Sequence, residues 1–304
     1  MKGVELSEIN IKELYRWCSI PVKELENHPE LKISFRIVKD SNEMGKLMAE
    51  ELVEEIKTAN TESRPCRAIV PCGPKSWYAP FTEIINGEKV SLKDLIVFHM
   101  DDCLDWEGKI LAKNDPYNFR TFMERYFYRG ISPELAVPES HRFFPNPGNI
   151  NLIKEKINEG PIDITLGGWG QDGHLAYNQA RRNPYSKITL KQLKNSELRI
   201  QENNTDTIIA LSHRSFGAGY QFVPPMSITL GIKECFSAKK VRIFSDTGDW
   251  KKTALRVALF SEETVEYPIT VLQSHPDAII TATYETACHP ISEHPEWEFR
   301  GVNI

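Results

Sequence analysis

Long apolar runs are missing from the 304-residue chain. The longest uncharged stretch, Ser215 to Ile232, holds Pro224-Pro225, three glycines and several polar residues, a poor composition for a helix that must bury its backbone in lipid. No membrane partner is expected. Any block of lysine and arginine is missing too, with 37 basic side chains against 42 acidic ones and a formal charge of −5. Phosphate neutralisation supplies most non-specific nucleic-acid affinity, so no nucleic-acid partner is expected either. CxxC pairs are absent, since Cys18, Cys66, Cys72, Cys103, Cys235 and Cys288 lie far apart. A chain this long buries a sizeable core without disulfide staples, and reduced thiols are expected. Met1 to Ser19 carries Lys2, Glu5, Glu8, Lys12 and Glu13 where a signal peptide needs an apolar core, so the expected location is cytoplasmic. Linkers, internal repeats and low-complexity tracts are not found.

What is present is an ordinary globular composition, 40% hydrophobic and 26% charged, and a recurring unit of short apolar strand followed by helix. Ile33 to Val38 reads as a strand and Ser41 to Asn60 as the helix after it, with a serine cap. Ala68 to Pro71 leads through Cys72-Gly-Pro74 into a helix over Lys75 to Ile85. Leu95 to Met100 ends at Asp101-Asp102, with a helix over Pro116 to Tyr128. Ile162 to Leu166 runs into a glycine-rich loop, Lys240 to Phe244 into a helix over Trp250 to Phe260, and Ala278 to Thr281 closes the series. This alternation predicts an α/β fold with a largely parallel, Rossmann-like sheet covered by helices on both faces. Residues 1–30 read as a helical extension, 31–304 as a single domain, and Arg181 to Glu202 as a polar insertion or lid. Ligands of such sheets sit beyond the carboxyl ends of the strands, so those loops are where chemistry is sought.

The richest of them is Gly167 to Asn178. Gly168-x-Gly170-x-x-Gly173 matches a dinucleotide fingerprint as a string, but no long apolar helix follows it, and its glycines fit better as sites where backbone amides approach an oxyanion or a sugar. Asp172 and His174 are two apart, a spacing that suits an imidazole for proton transfer with a carboxylate to orient it; a turn-capping aspartate beside a structural histidine fits as well. Asp101-Asp102-Cys-Leu-Asp105 resembles a magnesium-binding DDxxD string, yet it follows a strand, which leaves Asp101 and Asp102 as a candidate base or as solvated turn formers. Cys72 has no base placed for it by sequence and reads as a small buried thiol. Lys75, Ser76, Lys251 and Lys252 stand at helix starts, where an anion is favoured and a bare cation opposes the helix dipole; plain solvated lysines remain the alternative. Cys288-His289 and Glu293-His294 match no zinc-ligand spacing, and no metal site is expected.

Taken together these residues resemble the glucosamine-6-phosphate deaminase (isomerase) family. Gly170-Gln-Asp-Gly-His-Leu-Ala-Tyr-Asn178 is similar to its G-x-D-G-H-I-A-F-N signature, Phe98-His-Met-Asp-Asp102 to F-N-M-D-E, and Pro116 to Met123 to the following S-Y-x-x-F-M helix. Ser212-His-Arg-Ser-Phe216 resembles N-S-R-F-F, and Gly248 to Leu255 resembles G-x-x-K-x-x-A-L. The resemblance implies that His174 opens the pyranose ring, that Asp101 moves the proton between C2 and C1, and that Asp172 positions and charges His174. It implies that Arg214 and Lys251 hold the phosphate, with Gly73, Lys75 and Ser76 in the phosphate loop. It also implies ammonia release to give fructose 6-phosphate, with no cofactor because the substrate's own carbonyl acidifies C2, and a homo-oligomeric assembly. Three departures stand out. The family's T-G-G-T-P loop is Pro71-Cys-Gly-Pro-Lys-Ser76, its glutamate after A-F-N is Gln179, which carries no charge to support the histidine, and the lysine of its allosteric pocket is Gln201 beside Arg199. The other readings that the residues support are a 6-phosphogluconolactonase-like hydrolase, which shares G-x-D-G-H, and a sugar-phosphate-sensing domain without turnover.

Overall fold

The computed structural model describes residues 9–180 and 188–299. In chain order the helices are α1 (Ile11–Ser19), α2 (Val22–Leu25), α3 (Ser41–Thr61), α4 (Tyr78–Glu88), α5 (Phe119–Met123), α6 (Ile150–Asn158), α7 (Leu190–Lys194), α8 (Thr205–Ser215), α9 (Ile232–Cys235), α10 (Lys252–Phe260), α11 (Tyr284–Ala287) and α12 (Pro290–Glu293). The strands are β1 (Ser34–Val38), β2 (Cys66–Val70), β3 (Leu95–His99), β4 (Asp101–Leu104), β5 (Arg142–Phe143), β6 (Ile162–Gly167), β7 (Arg199–Glu202), β8 (Met226–Thr229), β9 (Ala238–Ser245) and β10 (Ala278–Thr283).

Seven strands form one parallel sheet in the order β1-β10-β9-β6-β2-β3-β5. Its strands are apolar on both faces because helices cover both. Ile69 and Phe98 point into one cluster with Leu255 and Leu259 of α10, while Ala68, Val70 and Val97 point into the other with Met44, Met48 and Leu52 of α3, the alternation that a pleated strand imposes. α1 and α2 bring Trp17 and Leu25 into the first of these clusters. The cap of α3 is Asp40 and not the serine after it: Asp40 accepts from the backbone of Asn42 and Glu43. The order reverses at β2, whose neighbours are β3 on one side and β6 on the other, so the loops after β2 and β6 splay apart and leave a crevice.

Several sequence expectations shift. Asp101 and Asp102 are not turn formers past a strand end; they open β4, which pairs antiparallel with β8, and β8 pairs with β7 in a separate three-stranded sheet. Arg181 to Glu202 is not a uniform polar insertion: its residues 181–187 lie outside the described residues, but Thr189 starts α7 through a capping box and Arg199–Glu202 is β7. Lys75 and Ser76 precede the helix they were expected to begin, since α4 starts at Tyr78. The helix over 116–128 is α5 followed by a wider π turn, Glu124–Tyr128. Up to residue 180 no helix opens after the glycine-rich loop. Among the described residues no helix is long and apolar enough to cross a membrane.

Candidate active site

A cleft of about 740 Å³ lies over the carboxyl ends of β2, β6 and β9. Gly73, Lys75, Ser76, Asp101, His174, Arg214 and Lys251 all line it, together with Trp169, Tyr117, Tyr177, Trp250 and Asp246. Asp172 and Gln179 stand behind its wall, both buried.

The loop after β6 turns back on itself, with Gly170 N–H donating to the His174 carbonyl at 3.0 Å and Gly173 N–H to the Gly170 carbonyl at 3.0 Å. Gly173 takes a φ of 72°, where a side chain is disfavoured. Gly170 is required for a different reason: a Cβ there would lie 2.1 to 2.5 Å from the His174 ring. The turn presents the imidazole to the cleft with Nδ1 2.6 Å from Asp172 Oδ1, which leaves Nε2 as the nitrogen free for a ligand. Burial alone would raise the Asp172 carboxyl. The His174 charge and hydrogen bond, with the N–H groups of His174 and Ala180, outweigh it and hold the carboxyl below its ordinary range.

Asp101 reaches the cleft from the first residue of β4, paired with Thr229. Desolvation pushes its carboxyl up to about 7, the neighbouring Asp102 adds to the rise, and His174 opposes it. A carboxyl poised there is a usable general base near neutral pH. Asp102 points away from the cleft and binds backbone, accepting from Cys103 and Phe119 at 2.9 Å each. It thereby anchors the start of α5.

The cations gather on the β9 side. Arg214 sits near the end of α8 with its guanidinium over Trp250 at 5.8 Å, and the Lys251 ammonium lies 5.7 Å from the Trp169 ring centre. Desolvation pulls Lys251 down to about 8, Arg214 adds to the fall, and Asp246 resists it. Ser76 donates to Asp246 at 2.9 Å, whereas Lys75 turns the other way, its ammonium 4.3 Å over Phe122 of α5. Lys252, the other lysine of this pair, is buried against Asp249 and stays out of the cleft.

Gln179 does not meet His174. Its Nε2 donates to Thr207 at 2.9 Å and its Oε1 accepts from Asn204 N–H at 2.9 Å, so it ties the loop after β6 to α8. Cys72 lines the cleft beside Asp101, but burial pushes its thiol far above the usual range, which suits no nucleophile. Among the described residues no group of three or more His, Cys, Asp or Glu side chains could hold a metal. Sequence reasoning gave no cleft role to Tyr117, Trp169, Tyr177, Trp250 or Asp246, although Tyr117 and Tyr177 lie inside the two motifs, Trp169 inside the glycine-rich loop and Trp250 beside Lys251.

No family model matches the chain. Curated relatives do: the glucosamine-6-phosphate deaminase of Parabacteroides distasonis is 30% identical over 264 residues, 81% of this chain and 87% of the relative. The chain belongs to the glucosamine-6-phosphate deaminase family. The Aliivibrio fischeri deaminase is 29% identical over 258 residues, 79% of this chain and 86% of its own. Among solved structures, a monomeric glucosamine-6-phosphate deaminase superposes with a TM-score of 0.69 at 21% identity, covering 83% of this chain and 98% of that one. A 6-phosphogluconolactonase from Shewanella baltica gives 0.60 at 13% identity, covering 82% and 97%. At such identities both likenesses are of fold alone.

Proposed function

We propose that the cleft converts glucosamine 6-phosphate and water to fructose 6-phosphate and ammonia. The observation that carries this reading is the convergence of Asp101, poised near neutrality, and an Asp172-held His174 on one wall of a cleft whose other end is cationic. Arg214 and Lys251 hold the phosphate, the first as a fork and the second as a point charge. His174 Nε2 gives a proton to the ring oxygen as the pyranose opens and takes up the O1 proton, which it gives back to O1 when C2 is deprotonated. The Asp101 carboxylate then takes the C2 proton, acidified by the new C1 carbonyl, and returns it to C1. The resulting C2 iminium is hydrolysed by water and the amine leaves as ammonia. Asp172 supports the histidine while Gln179 works at a distance, bracing the loop, so the missing family glutamate is a loss of nearby charge and not of a hydrogen bond to the ring. The test is to incubate the protein with glucosamine 6-phosphate and measure ammonia and fructose 6-phosphate in one sample, with Asp101→Asn beside it. Equal release of both, reduced at least about a hundredfold in the variant, is the expected outcome; no ammonia from the native protein overturns the reading.

A further inference from the structure

Where its family carries phenylalanine, this chain has Tyr177, and the added hydroxyl has a partner. The Tyr177 oxygen lies 3.3 Å from Cys103 Sγ, both buried, and Cys103 is two residues along β4 from Asp101. The Tyr177 ring in turn faces the His174 imidazole, with centres 5.7 Å apart and planes 13° from parallel. Its backbone is fixed as well: Tyr177 N–H donates to Thr229 Oγ1 at 3.0 Å, and Thr229 is the residue of β8 that pairs with Asp101. Its carbonyl accepts from Gln201 of β7, which Arg199 holds at 2.8 Å. The residue before it, Ala176, is turned into the left-handed region at φ 53°, a conformation disfavoured for a residue with a Cβ and kept only where its surroundings impose it.

We propose that Tyr177 is a positioning residue that sets His174 relative to Asp101. This rests on the deaminase reading of the cleft. His174 rides on the loop after β6 and Asp101 on the small antiparallel sheet, two bodies with no shared element. Tyr177 is bonded to all three strands of that sheet, through Cys103 on β4, Thr229 on β8 and Gln201 on β7, and its ring is offset from the imidazole and nearly parallel to it. Arg199 and Gln201, at positions where part of the family builds an effector pocket, here turn inward: Arg199 also donates to Asn178 Oδ1 at 2.9 Å. The small sheet therefore acts as a clamp on the catalytic loop.

The test cuts one link from both ends. Tyr177→Phe and Cys103→Ala each remove the hydroxyl–thiol contact while the backbone bonds to Thr229 and Gln201 stay, so the fold is expected to survive, as thermal melts verify. If the link positions His174, kcat falls about tenfold in either variant with KM within twofold, and the double variant falls no further. A loss in the double variant equal to the product of the two single losses, or an unchanged kcat in Tyr177→Phe, overturns the proposal. Proton NMR titration of the His174 ring, which faces Asp172, Asp101 and Tyr177, reads the same clamp without turnover: its midpoint moves by the same amount in all three variants. A moved midpoint in a protein that releases no ammonia would sustain the clamp and sink the deaminase reading, and an unmoved one would sink the clamp whatever the activity.

Discussion

Asp101 holds its proton to about pH 7 because burial, and then Asp102, disfavour its charge. The same shift has a stability consequence of definite sign. A carboxyl whose folded value lies above its unfolded one favours folding fully below the unfolded value, and that contribution is lost as pH rises through the folded value near 7. Asp101→Asn is accordingly expected to abolish turnover yet to melt higher than the native protein at pH 8, with the gap closing toward pH 4; melts that are the same at pH 8 would show that Asp101 is not desolvated. Gly170 offers a second test at this scale. Its replacement by alanine puts a Cβ inside the space of the imidazole, and a displaced general acid costs about a hundredfold in rate, measured as ammonia release with the fold checked by circular dichroism. Both residues stood out in the sequence for their type and neighbours. Direction is harder to read than type: the family resemblance puts Gln179 beside His174, but it faces Asn204 and Thr207, since a loop with left-handed turns at Gly173 and Ala176 does not preserve the facing implied by position.

Among the elements, legibility follows locality. The βα units of the main sheet were readable because each strand is a short apolar run followed at once by its helix, and parallel strands buried on both faces leave that pattern. The three-stranded sheet was not, because its members are more than a hundred residues apart at the extremes, only Met100 separates β4 from β3, and β7 (Arg-Ile-Gln-Glu) carries more polar than apolar side chains. That sheet is the element that holds Asp101. Asp102 illustrates the coupling: it receives the N–H groups of Phe119 and Arg120 at the start of α5 while its charge raises Asp101 next door. Asp102→Asn keeps an oxygen for the backbone and removes the like charge. The acid limb of kcat/KM should then move to lower pH, with little change in the urea midpoint. A limb that stays in place would assign the raised value of Asp101 to burial alone.

At the scale of the whole molecule, the cationic end of the cleft is assembled from segments far apart in the chain, α8 with Arg214 and the turn before α10 with Lys251, with Ser76 and Asp246 bonded beside them. The topology brings them together because the loops after β2, β6 and β9 are adjacent at the point where the strand order reverses. Crowding of Lys251 by burial and by Arg214 lowers it to about 8, so its ammonium is lost as pH rises through that value, and phosphate affinity should fall with it. KM for glucosamine 6-phosphate is expected to climb above about pH 8, to stay flat over the same range in Lys251→Arg, which keeps its charge, and to be raised at every pH in Lys251→Met. Because bound phosphate favours the protonated lysine, the loss of rate should begin at higher pH at saturating substrate than at low substrate. If KM in the native protein ignores pH up to 9.5 or so while Lys251→Met still binds weakly, Lys251 is charged throughout, and the cleft is wetter around it than its packing against Trp169 implies.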